Sequence, residues 1–343
     1  MTHDQQPDRR FERQVRFAPL GDSGQRRLAE SRVLLVGVGA LGGVLAQSLT
    51  RAGVGQLVLA DRDVVEESNL PRQVLFEDRH AAEGVPKVEA ALESLGRIGG
   101  PTRLEAHALH VDAGELPRLA EGCDLVLDGT DNLATRYLVN DHCVRTGIPW
   151  IYGGVVGGAG LVLPVLPGRG PCLRCVFREP PPPGTLPTCD TAGVVLPAVG
   201  LVASLQAGLA LRVLVEPGGL EPALVELDAW SGEVRRLRAG RDEACPCCGG
   251  RQFPWLERGD ADHAVSLCGR NTVQVKRTGA APDLDRVVAR LEAAGAAVRR
   301  AGPLLRAEVE EFVLTVFPDG RTLIEGTDDC GRAEAVYDRW LGG

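Results

Sequence analysis

The sequence predicts an α/β protein. A doubly wound mixed sheet is expected over about residues 1–255, and a small α+β domain over 260–343. Three observations predict this. Apolar strand-like runs alternate with helical patterns from Arg32 to Gly153, and such alternation builds a largely parallel sheet covered on both faces. A glycine-rich turn stands between the first strand and the first long helix. Beyond about residue 260 the pattern changes to an amphipathic helix, a hairpin and a final helix.

Residues 24–31 read as a short helix leading into a strand, Arg32 to Gly37. GVGALGG follows, then an apolar helix to about Ala52 and a strand from Gln56 to Ala60 that ends at Asp61. Strand, glycine turn, helix and strand form a βαβ unit, the opening of a Rossmann-like sheet. After a loop come a helix at about 86–98, a strand at 103–108, a helix at about 114–121 and a strand, Asp124 to Leu127, running into DGTDN. A helix at about 133–146 leads to the strand Pro149 to Gly153.

After Gly160, glycine and proline become dense. Within REPPPPGTLPT (178–188), four successive prolines remove amide donors and hold the chain extended, so a flexible crossover loop is expected over about 177–192. A helix at about 195–215 and strands near 223–228 and 233–238 follow, and Leu256 to Asp262 reads as a linker. In the C-terminal part, AVSLCGRNTVQV is a strand region. DLDRVVARLEAAG is a helix with Asp283 as N-cap and Gly295 at its C-terminal end. EEFVLTVFPDGRTLIEGT is a hairpin turning at PDGR, and GRAEAVYDRWLGG closes with a helix.

Apolar residues at 44% and charged residues at 24% suit a globular core. A net charge of -8 argues against general nucleic-acid binding, although it does not describe any one cleft. The opening MTHDQQPDRRFERQ is polar, so no secretory signal is expected. Pro197, Ser204, Gln206 and Arg212 interrupt the apolar stretch Val194 to Val215. It reads as a buried helix, with no membrane span expected and a cytoplasmic location.

Gly37-Val-Gly39-Ala-Leu-Gly42 follows an apolar strand. Glycine lets backbone approach a phosphate, and a helix N-terminus offers free amides to an anion. Asp61, 24 residues beyond Gly37, ends the next strand, where a carboxylate can bind ribose hydroxyls. Taken alone this says only nucleotide, and glycines can also serve close packing. Ser68-Asn69-Leu70-Pro71-Arg72-Gln73 and Pro86-Lys87 add cations. Attack of a carboxylate on the α-phosphate of ATP builds charge on the phosphoryl oxygens and on departing pyrophosphate, so cations must stand there and magnesium normally helps. Arg72 and Lys87 are candidates, and Asp131 is placed to hold Mg2+ at a strand's C-terminal end.

Of ten cysteines, Cys172 and Cys175 form one C-x-x-C knuckle, and Cys245 and Cys248 form a second about 70 residues on. Two such knuckles make a four-thiolate structural zinc site, about one ion per chain. Cys247 is a bystander that could replace Cys248, and disulfides are the competing reading. Cys189, in PTCDTAGV, stands near a helix N-terminus where a thiolate is favoured; the alternative is a small residue without chemistry. Cys123, Cys143, Cys268 and Cys330 read as core or incidental.

The ordered series RFERQ, LLVGVGALGG, LADRD, SNLPRQ, PKV, DGTDN, CLRC, TCDTAGV and CPCC, over about residues 8–250, resembles the ThiF/MoeB/HesA family, bacterial relatives of ubiquitin-activating enzymes. The resemblance implies ATP-dependent adenylation of the C-terminal Gly-Gly carboxylate of a ubiquitin-like sulfur-carrier protein, giving acyl-AMP and pyrophosphate before thiocarboxylate formation. It implies that Gly37, Gly39, Ala40, Gly42, Asp61 and Asp63 cradle the nucleotide. Ser68, Asn69, Arg72, Gln73 and Lys87 would face the triphosphate, and Asp131 would bind magnesium with Asn132 beside it. Arg13 resembles an arginine that reaches the neighbouring protomer's site, so a homodimer is implied. Sulfur would come from a cysteine desulfurase or rhodanese-type donor, with Cys189 matching a loop cysteine of that step. Ala40 departs from the Gly-Gly-Leu-Gly of many members. The C-terminal part lacks a rhodanese-like loop. Its CGRNTVQV and FPDGRTLIEGTDD resemble the tail of some thiazole-biosynthesis adenylyltransferases, which favours ThiF over MoeB. A NAD-dependent oxidoreductase would share the glycine turn and Asp61 but leave Arg72, Lys87 and the knuckles unexplained. A non-catalytic scaffold would leave the charged set without purpose.

Overall fold

The computed structural model describes residues 9–181, 189–257, 263–267, 271–277, 282–301, 304–318 and 320–341. Five parallel strands lead the chain: β1 (Arg32–Val36), β2 (Gln56–Asp61), β3 (Arg103–Ala108), β4 (Leu125–Asp128) and β5 (Trp150–Val156). Antiparallel β6 (Ala159–Val165), β7 (Leu224–Asp228) and β8 (Val234–Leu237) extend them into one eight-stranded sheet ordered β3-β2-β1-β4-β5-β6-β7-β8. The order reverses at β1, which pairs with β2 on one side and β4 on the other, Val36 standing opposite both Ala60 and Asp128. A crevice therefore opens beyond the C-terminal ends of β1 and β4, where doubly wound sheets bind ligands.

Strand periodicity divides the core. Val33, Leu35, Leu57 and Leu59 face one side, with Leu45, Leu49 and Leu95 from α1 (Ala40–Ala52) and α2 (Lys87–Ile98). Leu34, Val36, Val58 and Val126 face the other, with Tyr137 and Val139 from α3 (Leu133–Thr146). Helix α4 (Leu196–Val215) is long and apolar enough to cross a membrane by length and composition. Its Val199, Val202, Ala203 and Ala210 are nonetheless wholly buried in the first of these layers. That is the buried helix expected.

A second, fully antiparallel sheet contains β9 (His263–Leu267), β10 (Thr272–Lys276), β11 (Ala297–Ala301), β12 (Leu304–Val309), β13 (Phe312–Val316) and β14 (Thr322–Glu325), ordered β11-β12-β13-β14-β10-β9. Helices α5 (Leu284–Ala293) and α6 (Cys330–Trp340) contribute Val287, Leu291, Val336 and Tyr337 to its core. Asp283 caps α5, accepting from the amides of Asp285 and Arg286, and Gly295 follows it in the left-handed region. The hairpin over 310–327 is present as β13–β14.

Several elements differ from expectation. The first long N-terminal helix runs Gly21–Glu30, and the loop after β2 contains a helix, Asp78–Glu83. Strand β6 lies in a stretch that reads as irregular because glycine and Pro164 break its apolar run. Strands β11 and β12 were not expected: AVRRA and LLRAEV carry charged residues without strict alternation. The expected linker begins inside a short helix, Pro254–Glu257; residues 258–262 and 182–188, with the last two prolines of the run of four, lie outside the described residues.

Where α1 begins, Gly42 leaves no space for extra atoms. A Cβ at Gly42 would stand 2.0 Å from the Gly37 carbonyl oxygen. Gly42→Ala should therefore lower unfolding free energy by about 1–3 kcal/mol, the usual range for overpacking. A denaturant midpoint shift at unchanged m-value checks this, and an unshifted midpoint would contradict it.

Candidate functional site

The site starts from a contact between two loops. Gly37 has φ +87° and donates its amide to the Ala60 carbonyl at 2.7 Å. Gly129, next to it in space, donates to the Val36 carbonyl at 2.8 Å. A Cβ at Gly37 would lie 2.7 Å from the Gly129 carbonyl, and one at Gly129 would lie 2.3 Å from Gly37 O. Only glycine permits this approach. Gly39 is different: the nearest atom to a Cβ there is Gln73 Nε2, at 3.7 Å. Its surroundings do not demand glycine, so the room is available to a ligand. Ala40 begins α1, whose N-terminus offers amides to an anion.

Asp61 closes β2 against this turn. Its Oδ2 accepts from Val38 N at 2.7 Å and its Oδ1 from Asp63 N at 2.8 Å. Burial pushes its carboxyl pKa up, opposed by the Lys87 charge. Lys87 is 3% exposed; Nζ donates to Asp63 Oδ2 at 3.0 Å, and its amide donates to Asp63 O at 2.9 Å. The buried ammonium is thus held to the acidic loop after β2. Asn69 is buried, with Oδ1 accepting from Glu66 N at 3.3 Å. Gln73 is buried beside Gly39, and its Oε1 has no hydrogen-bond partner. Arg72 is half-buried and donates to the Ser68 carbonyl at 2.5 Å, while Ser68 Oγ donates to Glu66 at 3.4 Å.

The same crevice receives the loop after β4. Asp131 is exposed on it, and Asn132 caps α3 by accepting from Thr135 N at 3.1 Å. Arg13 is not brought to this crevice. It is exposed on the short helix Glu12–Val15, where neighbouring Gln14 donates to Ala52 O at 2.9 Å. That is the far end of α1, roughly 20 Å from the glycine turn at about 1.5 Å per residue. Cys189 begins a short helix, Cys189–Ala192; its side chain lies outside the described residues, as does Cys268.

The two knuckles meet. The sulfurs of Cys172, Cys175, Cys245 and Cys248 all lie within 4.8 Å of one another. Separations of 3.6 Å (Cys172–Cys245), 3.8 Å (Cys172–Cys175) and 3.4 Å (Cys175–Cys248) fit the edge of about 3.8 Å that a tetrahedron with metal–sulfur bonds of about 2.3 Å would have. All four are free thiols rather than disulfides. Cys247 is buried outside the set and accepts from Asn140 Nδ2 at 3.3 Å, while Asn140 Oδ1 accepts from Leu173 N at 2.8 Å. One side chain therefore holds both knuckles. Cys123 and Cys143 are core residues, and burial pushes both thiols up.

A glycine turn at the switch point of a mixed doubly wound sheet places the chain among nucleotide-binding α/β proteins. More particularly, it belongs to the ThiF family, which matches residues 11–247. The chain is 40% identical over 336 residues to the sulfur carrier protein ThiS adenylyltransferase of Bacillus subtilis, covering 97% of this chain and 99% of that protein. It is 41% identical to the sulfur carrier protein adenylyltransferase of Thermus thermophilus, over 70% of this chain and 90% of that one. Among solved structures, E. coli MccB with ATP has the same fold, at 23% identity and a TM-score of 0.59 over 71% of this chain and 75% of that one.

The loop after β4 depends on residues that the sequence did not single out. Asp128 is 2% exposed. Its Oδ1 accepts from Thr130 N and Oγ1 at 2.9 and 2.8 Å, and its Oδ2 accepts from Arg136 Nε at 2.9 Å. Arg136, buried against the Tyr152 ring, also donates to Thr130 O at 2.6 Å and Gly153 O at 2.9 Å. Gln206 of α4 reaches the sheet backbone and donates to Asp128 O at 2.9 Å. The available signal was an acid ending a strand and an arginine in the first turn of the following helix. Asp128→Ala leaves Arg136 buried without its counter-charge and should cost about 3–5 kcal/mol. Equilibrium unfolding tests this, and a loss below about 1 kcal/mol, the level of an exposed pair, would refute it.

Proposed function

We propose that the protein uses ATP to adenylate the C-terminal Gly-Gly carboxylate of a ubiquitin-like sulfur-carrier protein. The observation that carries this is the backbone contact between Gly37 and Gly129. It joins the phosphate-cradling turn to the loop bearing Asp131. The names of the Bacillus and Thermus relatives support the substrate class. A carboxylate oxygen forms a bond to the α-phosphorus as the bond from that phosphorus to the pyrophosphate oxygen breaks. The electron pair leaves with pyrophosphate, and the carrier retains AMP as an acyl-adenylate.

Gly37, Gly39, Ala40 and Gly42 shape the turn. Asp61 addresses the ribose, and Asp63 holds Lys87 in place. Lys87 and Arg72 offset charge on the phosphoryl and leaving oxygens, which is the largest contribution a protein makes to such a transfer. Ser68, Asn69 and Gln73 shape and line the wall beside them. Asp131, with Asn132 beside it, would hold magnesium, whose charge would lower the cost of pyrophosphate departure. Cys172, Cys175, Cys245 and Cys248 would hold one structural zinc ion, leaving no open position for chemistry. Cys189 would act after adenylation, in thiocarboxylate formation with a cysteine desulfurase or rhodanese-type donor. Arg13, remote from its own chain's crevice, serves a partner's site in a homodimer. We further propose a cytoplasmic enzyme divided into 1–255 and 260–343.

With a Gly-Gly carrier present, ATP–pyrophosphate exchange should be measurable, and absent without it. Asp131→Ala and Arg72→Ala should each lower it by about 100-fold or more; full exchange in both would sink the role assignment. Metal analysis should return about one zinc per chain, and Cys245→Ser should release it. A metal-free wild type of undiminished stability would remove the structural role.

A further inference from the structure

The loop carrying Asp61 and Asp63 is gripped from outside by the second sheet. Arg321, just before β14, is fully buried. Its Nη2 donates to the Arg62 carbonyl at 2.9 Å, and its guanidinium stacks on the Phe317 ring at 3.4 Å. The Arg62 carbonyl lies between the two acids of the site. The Arg62 side chain runs to Gln274 Oε1 at 3.4 Å, on β10. Val64 is enclosed by Leu304, Phe317 and Leu323. Behind the next strand, Lys276 pairs with Asp112 at 2.7 Å, both side chains largely covered. The second sheet thus holds the loops that follow β2 and β3.

We infer that residues 260–343 brace the nucleotide pocket, with Arg321 as a positioning residue for ATP. The inference rests on the site reading above. Asp61 bonds Val38 N and Asp63 N, while Asp63 bonds Lys87. Any displacement of the Arg62 peptide moves the ribose-facing acid and the anchor of the phosphate-facing cation together. A buried guanidinium on that carbonyl resists it, because release would cost a buried charged donor one of its hydrogen bonds. Sites of this kind need placement to about half an ångström. The brace grips the loop that bears Asp61 and Asp63, so its effect is assigned to ATP binding.

The test compares full-length wild type, Arg321→Met, Arg321→Lys and Lys276→Ala. It measures the Kd for ATP by titration, KM for ATP and for the carrier, and kcat for exchange. Arg321→Met should raise Kd and KM for ATP about tenfold, matching one lost charged hydrogen bond, with carrier KM and kcat changed less than about twofold. Arg321→Lys should recover part of the loss, and Lys276→Ala should shift ATP binding in the same direction by less. Unchanged ATP binding in a folded Arg321→Met, or equal rises in both KM values, overturns the brace. If Arg321→Met does not fold, Lys276→Ala decides, and an unmoved ATP Kd there overturns it. Asp131→Ala separates the two readings: if it kills exchange while Arg321→Met leaves ATP binding intact, only the brace fails.

Discussion

Two loops touching through bare backbone organise this molecule. Gly37 and Gly129 approach so closely that any side chain on either would meet the other's carbonyl. The approach is possible because β1 and β4 are neighbours at the switch point, with Val36 opposite Asp128. Without that contact the turn would be a generic anion cradle and the loop after β4 a generic strand end. With it, one crevice receives amides from α1, an acid from β2 and an acid from the loop after β4. Parallel strands bring their C-terminal ends to one edge, so residues far apart in the chain converge there without any long-range sequence signal.

The charges around this crevice are sorted by burial. Lys87 and Asp63 pair beneath the turn, and Asp128 and Arg136 pair beneath the β4 loop, with Asp128 and Lys87 almost wholly covered. Both pairs sit in low dielectric, where a missing partner costs more than an intact pair contributes. Asp131 and Arg72 remain in contact with solvent. Covered pairs hold backbone in place, and on the proposed reading the accessible charges, together with Lys87, would meet the ligand. Asp61, buried near Lys87, is drawn upward in pKa by burial and downward by the Lys87 charge.

Much of this was legible. The continuous apolar runs of β1 and β4 announce strands buried on both faces. Pro86 before Lys87, Asp283 before α5 and Gly295 after it mark helix ends through local chemistry. Cysteine spacing singled out the four sulfurs that meet. What stayed hidden were contacts between distant positions whose partners leave no local trace. Gln206 reads as an interruption in an apolar helix, yet it ties α4 to the Asp128 and Ile151 carbonyls. Arg321 falls in a turn motif that suggests exposure, and burial against Arg62 appears only when the two sheets meet. Charges in β11 and β12 mask strands whose pairing is supplied by neighbours.

The first cysteine knuckle and α4 bracket the segment that carries Cys189. Cys172 and Cys175 precede the crossover segment, and Arg174, 4% exposed, pairs with Glu179 at 2.8 Å at its start. At its far side, Gly157 N donates to Gly193 O at 2.9 Å and Val195 N to Gly157 O at 3.2 Å. The far flank is therefore tied to the sheet, and Cys189 begins the short helix just before that tie. A metal with four thiolates and no vacant position contributes constraint rather than reactivity. On the proposed reading, sulfur chemistry on this segment falls to Cys189, because the four knuckle thiols would be taken up by the metal.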